Sequence, residues 1–253
     1  MKKYFRMSHS VLRRVCAASG AFVRVLVGNE YVSRSYSQFG EDMVLTAVFG
    51  RYLNNYSGFY IDIGAHHPMR FSNSRIFYER GWTGICVDPL PGSKRCFSRW
   101  RPRDIFLQAG VAEEEGMMTY FMYDEPAMNT FSEKVANENA NLVKRKVNVS
   151  LYPLRRILTD YLPAGRVIDF LSVDVEGLDL DVLRSNDWTH FRPRIVCIEE
   201  ASGTTLADVE HLKISIFMKS QKYRAFARTP NAMFYVDMRL PVDEDGRFLQ
   251  FTS

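Results

Sequence analysis

With 253 residues, 46% of them hydrophobic and 25% charged, the chain can bury one substantial core, and its composition is not that of a disordered protein. A net charge of +4 and a pI of 8.8 are mildly basic, short of what a dedicated nucleic-acid binder carries, so no nucleic-acid partner is expected. Cys16, Cys86, Cys96 and Cys197 form no C-x-x-C pair, which argues against a zinc site and for a reducing, cytoplasmic setting.

Residues 1–35 read as a basic, amphipathic helical extension. Arg13, Arg14 and Arg24 interrupt its apolar run too early for a membrane span. Packing on the following domain is the favoured reading, and peripheral contact with the anionic inner face of a membrane is the alternative. Residues 36–253 are expected to form a single α/β domain.

Ser37 can cap a helix whose apolar face carries Met43, Val44, Ala47 and Val48. Next comes the run GFYIDIGAHHP, in which Phe59 to Ile63 is a strand ending at Gly64. A helix from Phe71 to Arg80 and a strand Ile85 to Val87, closing at Asp88 in GICVDPLP, complete a βαβ unit. In such a unit Gly64 admits a ligand close to the backbone, and an acid ending the second strand suits two ribose hydroxyls. The loop lacks the G-x-G-x-x-G that cradles a pyrophosphate; its acid, single glycine and proline suit a cationic nucleoside such as S-adenosylmethionine instead. An ordinary βα turn is the bland alternative.

Further elements follow: a helix Pro91 to Trp100, a strand Ile105 to Gln108, and a strand in MMTYFMY expected on one edge of the sheet. Asn129 to Arg145, polar and rich in Asn, reads as a solvated surface loop, with a cover over the substrate as the alternative. VNVSLYPL alternates as a strand and leads to a helix Pro153 to Tyr161.

The strand Ile168 to Val173 ends in Asp174, Glu176 and Gly177, and RIVCIEE brings Glu199 and Glu200 to the same sheet edge. Acids at three strand ends are costly unless solvated, paired or used, and ligands of open α/β sheets gather there. Asp179 and Asp181 need no more than a helix dipole to explain them. A helix Ala207 to Lys222, with Leu212, Ile216 and Phe217 on its apolar side, leads into a terminal β-hairpin in YRAFARTPNAMFYVD.

From about Tyr36 to Glu200 the chain resembles the FkbM-type S-adenosylmethionine-dependent methyltransferases. The resemblance rests on SQFGED, GFYIDIGAHHP, GICVDPLP, NTFS, FLSVDVEG and CIEE in order. It implies an α/β fold of the class I methyltransferase kind, a Rossmann-like doubly wound sheet, mostly parallel with a C-terminal antiparallel hairpin. It implies O-methylation of a hydroxyl on a sugar, glycan or related secondary metabolite, with S-adenosyl-L-methionine as donor. By the same resemblance Asp62, Gly64 and His66 fall in the cofactor loop, Asp88 on the ribose, and Gln108, Gly110 and Val111 near the adenine. Asp174 and Glu176 fall beside the methyl group.

An acceptor hydroxyl needs a base or a metal. Asp174 is the leading candidate, Glu176 and Glu200 come second, and His67 or His66 is the alternative base. A divalent metal stays undecided, because the acids can also pair with Arg70, Arg75 or Arg194. An NAD-dependent sugar oxidoreductase or epimerase, and a non-catalytic nucleoside-binding scaffold, are the competing readings. The first lacks its glycine pattern and a Tyr-x-x-x-Lys pair; the second predicts decayed acids, which are intact here.

Overall fold

Short apolar strands separated by amphipathic helices leave both faces of each strand to be covered, which favours a parallel sheet between two helical layers. The computed structural model describes residues 32–241 except 51, 52, 54 and 201–210. Tyr36–Ser253 is one compact unit and Met1–Ser35 another. The expected N-terminal helix lies outside the described residues.

The elements in order are α1 (Glu41–Phe49), β1 (Phe59–Ile63), α2 (Arg75–Glu79), β2 (Thr83–Val87), α3 (Ser93–Trp100) and β3 (Ile105–Leu107). They continue with β4 (Gly110–Val111), β5 (Gly116–Met122), α4 (Glu133–Glu138), β6 (Arg145–Tyr152), α5 (Leu154–Tyr161) and β7 (Phe170–Val173). Last come α6 (Asp179–Arg184), β8 (Ile195–Glu199), α7 (Lys213–Ser220), β9 (Tyr223–Arg228) and β10 (Ala232–Asp237).

Seven strands form the main sheet in the order β3-β2-β1-β7-β8-β10-β9. The first five run parallel and the hairpin β9–β10 closes the sheet antiparallel to β8. This is the Rossmann-like architecture of class I methyltransferases. The winding direction reverses between β1 and β7, and ligands of doubly wound sheets sit at that reversal. Register brings the tips level: Ile63 pairs with both Val87 and Val173. The next backbone amides keep the ladder going, with Gly64 N–H donating to Val87 at 2.9 Å and Asp174 N–H to Ile63 at 3.0 Å. Residues 64, 88 and 174 therefore emerge side by side.

Alternation along the strands feeds two cores. Ile61, Ile63, Val87, Leu171 and Ile198 pack against α5, α6 and α7, whereas Tyr60, Cys86, Phe170 and Phe234 pack against α1, α2 and α3. The second core also holds a polar knot. Arg101, fully buried, meets Asp104 at 2.6 Å, the Tyr60 hydroxyl at 2.9 Å and Ser74 Oγ at 2.8 Å. Ser74 in turn donates to Asp62. Buried charge survives only when so partnered.

Several expectations shift. The MMTYFMY strand, β5, does not extend the main sheet; with β4 and β6 it makes a separate three-stranded sheet. Asn129 to Arg145 is no plain surface loop: Ser132 accepts the Val135 amide at the N-terminus of α4, and Asn129 to Phe131 are buried. Helix α2 starts only at Arg75, and Phe71, expected as its first residue, takes a left-handed φ of 55° that a helix does not admit. Leu212 and, on α7, Phe217 pack against the core as their spacing suggested, beside the buried Ser215 and Met218, whereas Ile216 is exposed. Residues 207–210 of that expected helix lie outside the described residues.

Candidate functional site

Gly64 ends β1 with φ 80°, and a Cβ placed on it would lie 1.7 Å from the carbonyl oxygen of Asp174. No side chain fits, so the two tips close on each other only through glycine. The chain then turns through His66, φ 47°, whose N–H donates to Asp88 Oδ2 at 2.8 Å. Asp88 Oδ1 takes the Leu90 amide at 2.8 Å. Each Asp88 oxygen keeps acceptor capacity for a ligand. Burial, only partly offset by these amides, pushes the Asp88 carboxyl up to about 6.

Above these tips lies a cavity of about 400 Å³, within the range of ligand sites. Gly64, His66 and Asp88 form one side and Asp174, Glu176 and Glu199 another; Tyr120 and Phe131, in ring contact at 4.8 Å, supply an aromatic wall. The segment Pro126 to Phe131 roofs it, so the region read as a solvated loop covers the site in part. Arg70 pairs with both oxygens of Glu125, at 2.8 and 3.1 Å, tying the β1 loop to that roof.

One oxygen each from Asp174, Glu176 and Glu199 lies within 4.8 Å of the others. Asp179 shapes this corner: its two oxygens accept the Val175 and Gly177 amides at 3.2 and 3.1 Å, which accommodates Glu176 at φ 54°. Asp174 and Glu176 are exposed on the cavity side and Glu199 is half-buried. Asp174, open to the cavity but flanked by protein, is driven well above the usual carboxylate range by desolvation and by the charges of Glu199 and Glu176. Glu199 is raised by desolvation too, and hydrogen bonds from Asp174 and the Glu176 amide hold it lower. Asp174 and Glu199 therefore titrate as one proton-sharing pair. Desolvation, Glu199 and Asp179 raise Glu176 to about 7. The same set offers an all-oxygen donor group for a divalent cation.

Of the residues named from sequence, Gly64, His66, Asp88, Asp174 and Glu176 line this cavity. The others stand apart. Asp62 is buried beneath the loop, bonded to Ser74 near Arg101. His67 Nδ1 accepts the Met69 and Arg70 amides at 3.1 and 3.0 Å, so it shapes the turn. Gln108 accepts the Gly92 amide at 3.2 Å and lines a different cavity beside β3. Gly110 and Val111 form β4 of the small sheet, where Val111 is core, because the chain leaves the main sheet after Leu107. Glu200 receives the Tyr235 hydroxyl at 3.3 Å and does not join the trio.

Glu199 takes that place. Successive strand residues point to opposite faces, so of the two glutamates only one can meet Asp174, and the pairing of Val173 with Ile198 selects Glu199. Arg70, Arg75 and Arg194 do not neutralise the cluster; they pair with Glu125, Glu79 and Asp169.

Among solved structures, the 1,6-didemethyltoxoflavin-N1-methyltransferase of Burkholderia thailandensis, with bound 1,6-didemethyltoxoflavin and S-adenosylhomocysteine, is similar at TM-score 0.41 and 14% identity, covering 94% of this chain and 93% of that one. A TehB-like SAM-dependent methyltransferase of Corynebacterium glutamicum is similar at TM-score 0.38 and 9% identity, covering 89% and 98%. Comparison with curated proteins gives no match. The model of the methyltransferase FkbM domain matches residues 62–225, well over half of the sequence. The chain belongs to the FkbM methyltransferase family.

Proposed function

We propose that the protein transfers the methyl group of S-adenosylmethionine to a hydroxyl of a sugar, glycan or related secondary metabolite. The observation that carries this reading is the meeting of Asp174, Glu176 and Glu199 on the wall of the cavity that Gly64 and Asp88 also line. The residues fit the donor: Asp88 offers two carboxylate oxygens to a ribose diol, and the tip at Gly64 leaves the backbone bare. A cavity ringed by carboxylates suits a cationic nucleoside.

When bound, S-adenosylmethionine supplies a methyl carbon activated by its sulfonium, and the C–S bond breaks as the new O–CH₃ bond forms. The chain contributes position and proton removal. Asp88 and the Gly64 tip fix the donor's orientation, and the roof from Pro126 to Phe131 limits water. Asp174 and Glu199 act as one proton-sharing base for the acceptor hydroxyl, with Glu176 beside them. Their raised pKa values bring proton affinity toward neutral pH, where a carboxylate base is more effective. A positive ligand favours their ionised forms.

Two experiments test this. Calorimetry with S-adenosylhomocysteine and with NAD separates the donor classes; binding of NAD alone would overturn the reading. Incubating the protein and labelled donor with glycan and metabolite extracts should give alkali-stable methyl ethers, and label on nitrogen or carbon alone would refute O-methylation.

No helix among the described residues is long and apolar enough to cross a membrane. Contact with an anionic membrane face through the basic extension is part of the proposal, supported by Lys2, Lys3, Arg6, Arg13 and Arg14. The full chain should co-sediment with anionic vesicles more than a chain starting at Tyr31, and equal sedimentation would refute it.

A further inference from the structure

Tyr120, on β5 of the small sheet, and Asn129, in the roof, line the same cavity as Asp88. An antiparallel bridge between Phe121 and Thr130, closed by backbone hydrogen bonds of 2.9 and 3.1 Å, holds the roof against the strand that carries Tyr120. Asn129 is thereby fixed in place. Its Oδ1 accepts the Tyr123 amide at 2.8 Å, which settles the orientation of the carboxamide, since the reverse would set an NH₂ against an N–H. Asn129 is only 5% exposed, and its Nδ2 completes no hydrogen bond in the protein; the group it approaches is the Tyr120 hydroxyl. A buried donor left open in the lining of a cavity calls for an explanation, and a ligand that completes the arrangement supplies one.

Burial first, then the charge of Asp88 and more weakly that of Glu176, hold the Tyr120 hydroxyl well above the usual tyrosine range. It stays a proton donor, and it lies within the field of Asp88. A ribose hydroxyl has one proton and two lone pairs, and a carboxylate can take only the proton. The lone pairs need a donor. An amide NH₂ directed at the Tyr120 oxygen engages its lone pairs and sends its proton away from Asn129. Resting on the donor assignment above, we propose that Tyr120 donates to a ribose hydroxyl of S-adenosylmethionine while that hydroxyl donates to Asp88, and that Asn129 is the positioning residue that aims the Tyr120 proton. The small sheet, which departs from the doubly wound plan, then supplies half of the nucleoside site.

The test is calorimetry of the full chain with S-adenosylhomocysteine and with its 2′-deoxy and 3′-deoxy ribose analogues. The readout is the ratio of affinities, which a general loosening of the roof leaves unchanged because it weakens all three ligands alike. The wild type should favour S-adenosylhomocysteine over one of the two analogues by roughly 100-fold. Tyr120→Phe keeps the ring against Phe131 and removes the proton, so it should cut that ratio about tenfold. Asn129→Asp keeps an oxygen for the Tyr123 amide but draws the Tyr120 proton to itself. It should cut the ratio by a similar factor, and the two changes together should cut it no further than either alone. Both ratios unchanged in Tyr120→Phe would overturn the proposal; a ratio lost in Tyr120→Phe and intact in Asn129→Asp would overturn the role of Asn129. Failure of S-adenosylhomocysteine to bind the wild type would overturn the donor assignment, and this proposal with it.

Discussion

The backbone of Asp174 presses against Gly64 so closely that its carbonyl oxygen occupies the space any Gly64 Cβ would need, 1.7 Å away. The contact joins the first and fourth strands of the parallel sheet where the winding reverses, and it sets the floor of the cavity. Gly64→Ala must move backbone rather than a flexible side chain, and it also forces a left-handed φ on alanine. Denaturant unfolding should show a loss of at least about 3 kcal/mol, and S-adenosylhomocysteine affinity should fall by roughly 100-fold or more. Wild-type values for both would show that the tips are free to separate.

Asp88 uses one lone pair on each oxygen for a backbone amide, from His66 and from Leu90. Asn offers a single acceptor oxygen, so Asp88→Asn turns an NH₂ toward an amide and loses a charge-assisted acceptor for the ligand. With about 1–3 kcal/mol at stake for each hydrogen bond, S-adenosylhomocysteine should bind roughly 100-fold more weakly by calorimetry. An unchanged Kd would take Asp88 out of the binding site.

Glu176 titrates at about 7 in the folded chain against an ordinary 4.5, so the native state holds a proton that the unfolded chain has released. Stability contributed by this group is full below about 4.5 and is lost as pH rises toward 7. Glu176→Gln should therefore raise Tm at pH 8 by roughly 1–2 °C and have little effect at about pH 3.5, where the wild-type side chain is neutral in both the folded and the unfolded state. A stabilisation equal at both pH values would contradict the assignment. In the wild type, kcat/KM should climb with pH through about 7 as the cluster sheds protons. A divalent cation held by the trio would displace those protons and carry activity to lower pH, a shift reversed by chelator.

The neighbouring glutamates should differ sharply. Glu199→Gln removes a member of the proton-sharing pair and should lower kcat by roughly 100-fold or more. Glu200, turned to Tyr235, should on change to Gln raise KM and leave kcat within about tenfold. The reverse ranking would place the base on the wrong face of β8.

Arg101 lies fully buried between Asp104, Tyr60 and Ser74, and Ser74 holds Asp62 at the root of the cofactor loop. Arg101→Leu leaves Asp104 and Asp62 without their cation and should cost about 3–5 kcal/mol in urea unfolding. The double change Arg101→Leu with Asp104→Leu should recover part of that loss, because no partner of the pair is then left charged and alone.

Local pattern was enough for the alternation of elements, the βαβ unit ending at Gly64 and Asp88, and the acids closing β7, since periodicity, strand-ending glycines and strand-end charges are properties of contiguous residues. The choice of Glu199 over Glu200, by contrast, depends on the register of β8 against β7, and no residue near either glutamate in sequence encodes that register alone. The same holds for Gly110 and Val111, which the chain carries off into a second sheet formed with strands that follow later, and for Gln108, which turns to the Gly92 amide. Asp62 and His67 look like ligands in their motif because motif spacing records neighbours along the chain; only packing shows that Arg101's network and the Met69 and Arg70 amides claim them. Sequence by itself thus determined the family and the sheet, while tertiary contacts between distant segments decided which carboxylates meet, since side-chain direction at a strand tip is set by pairing across the sheet.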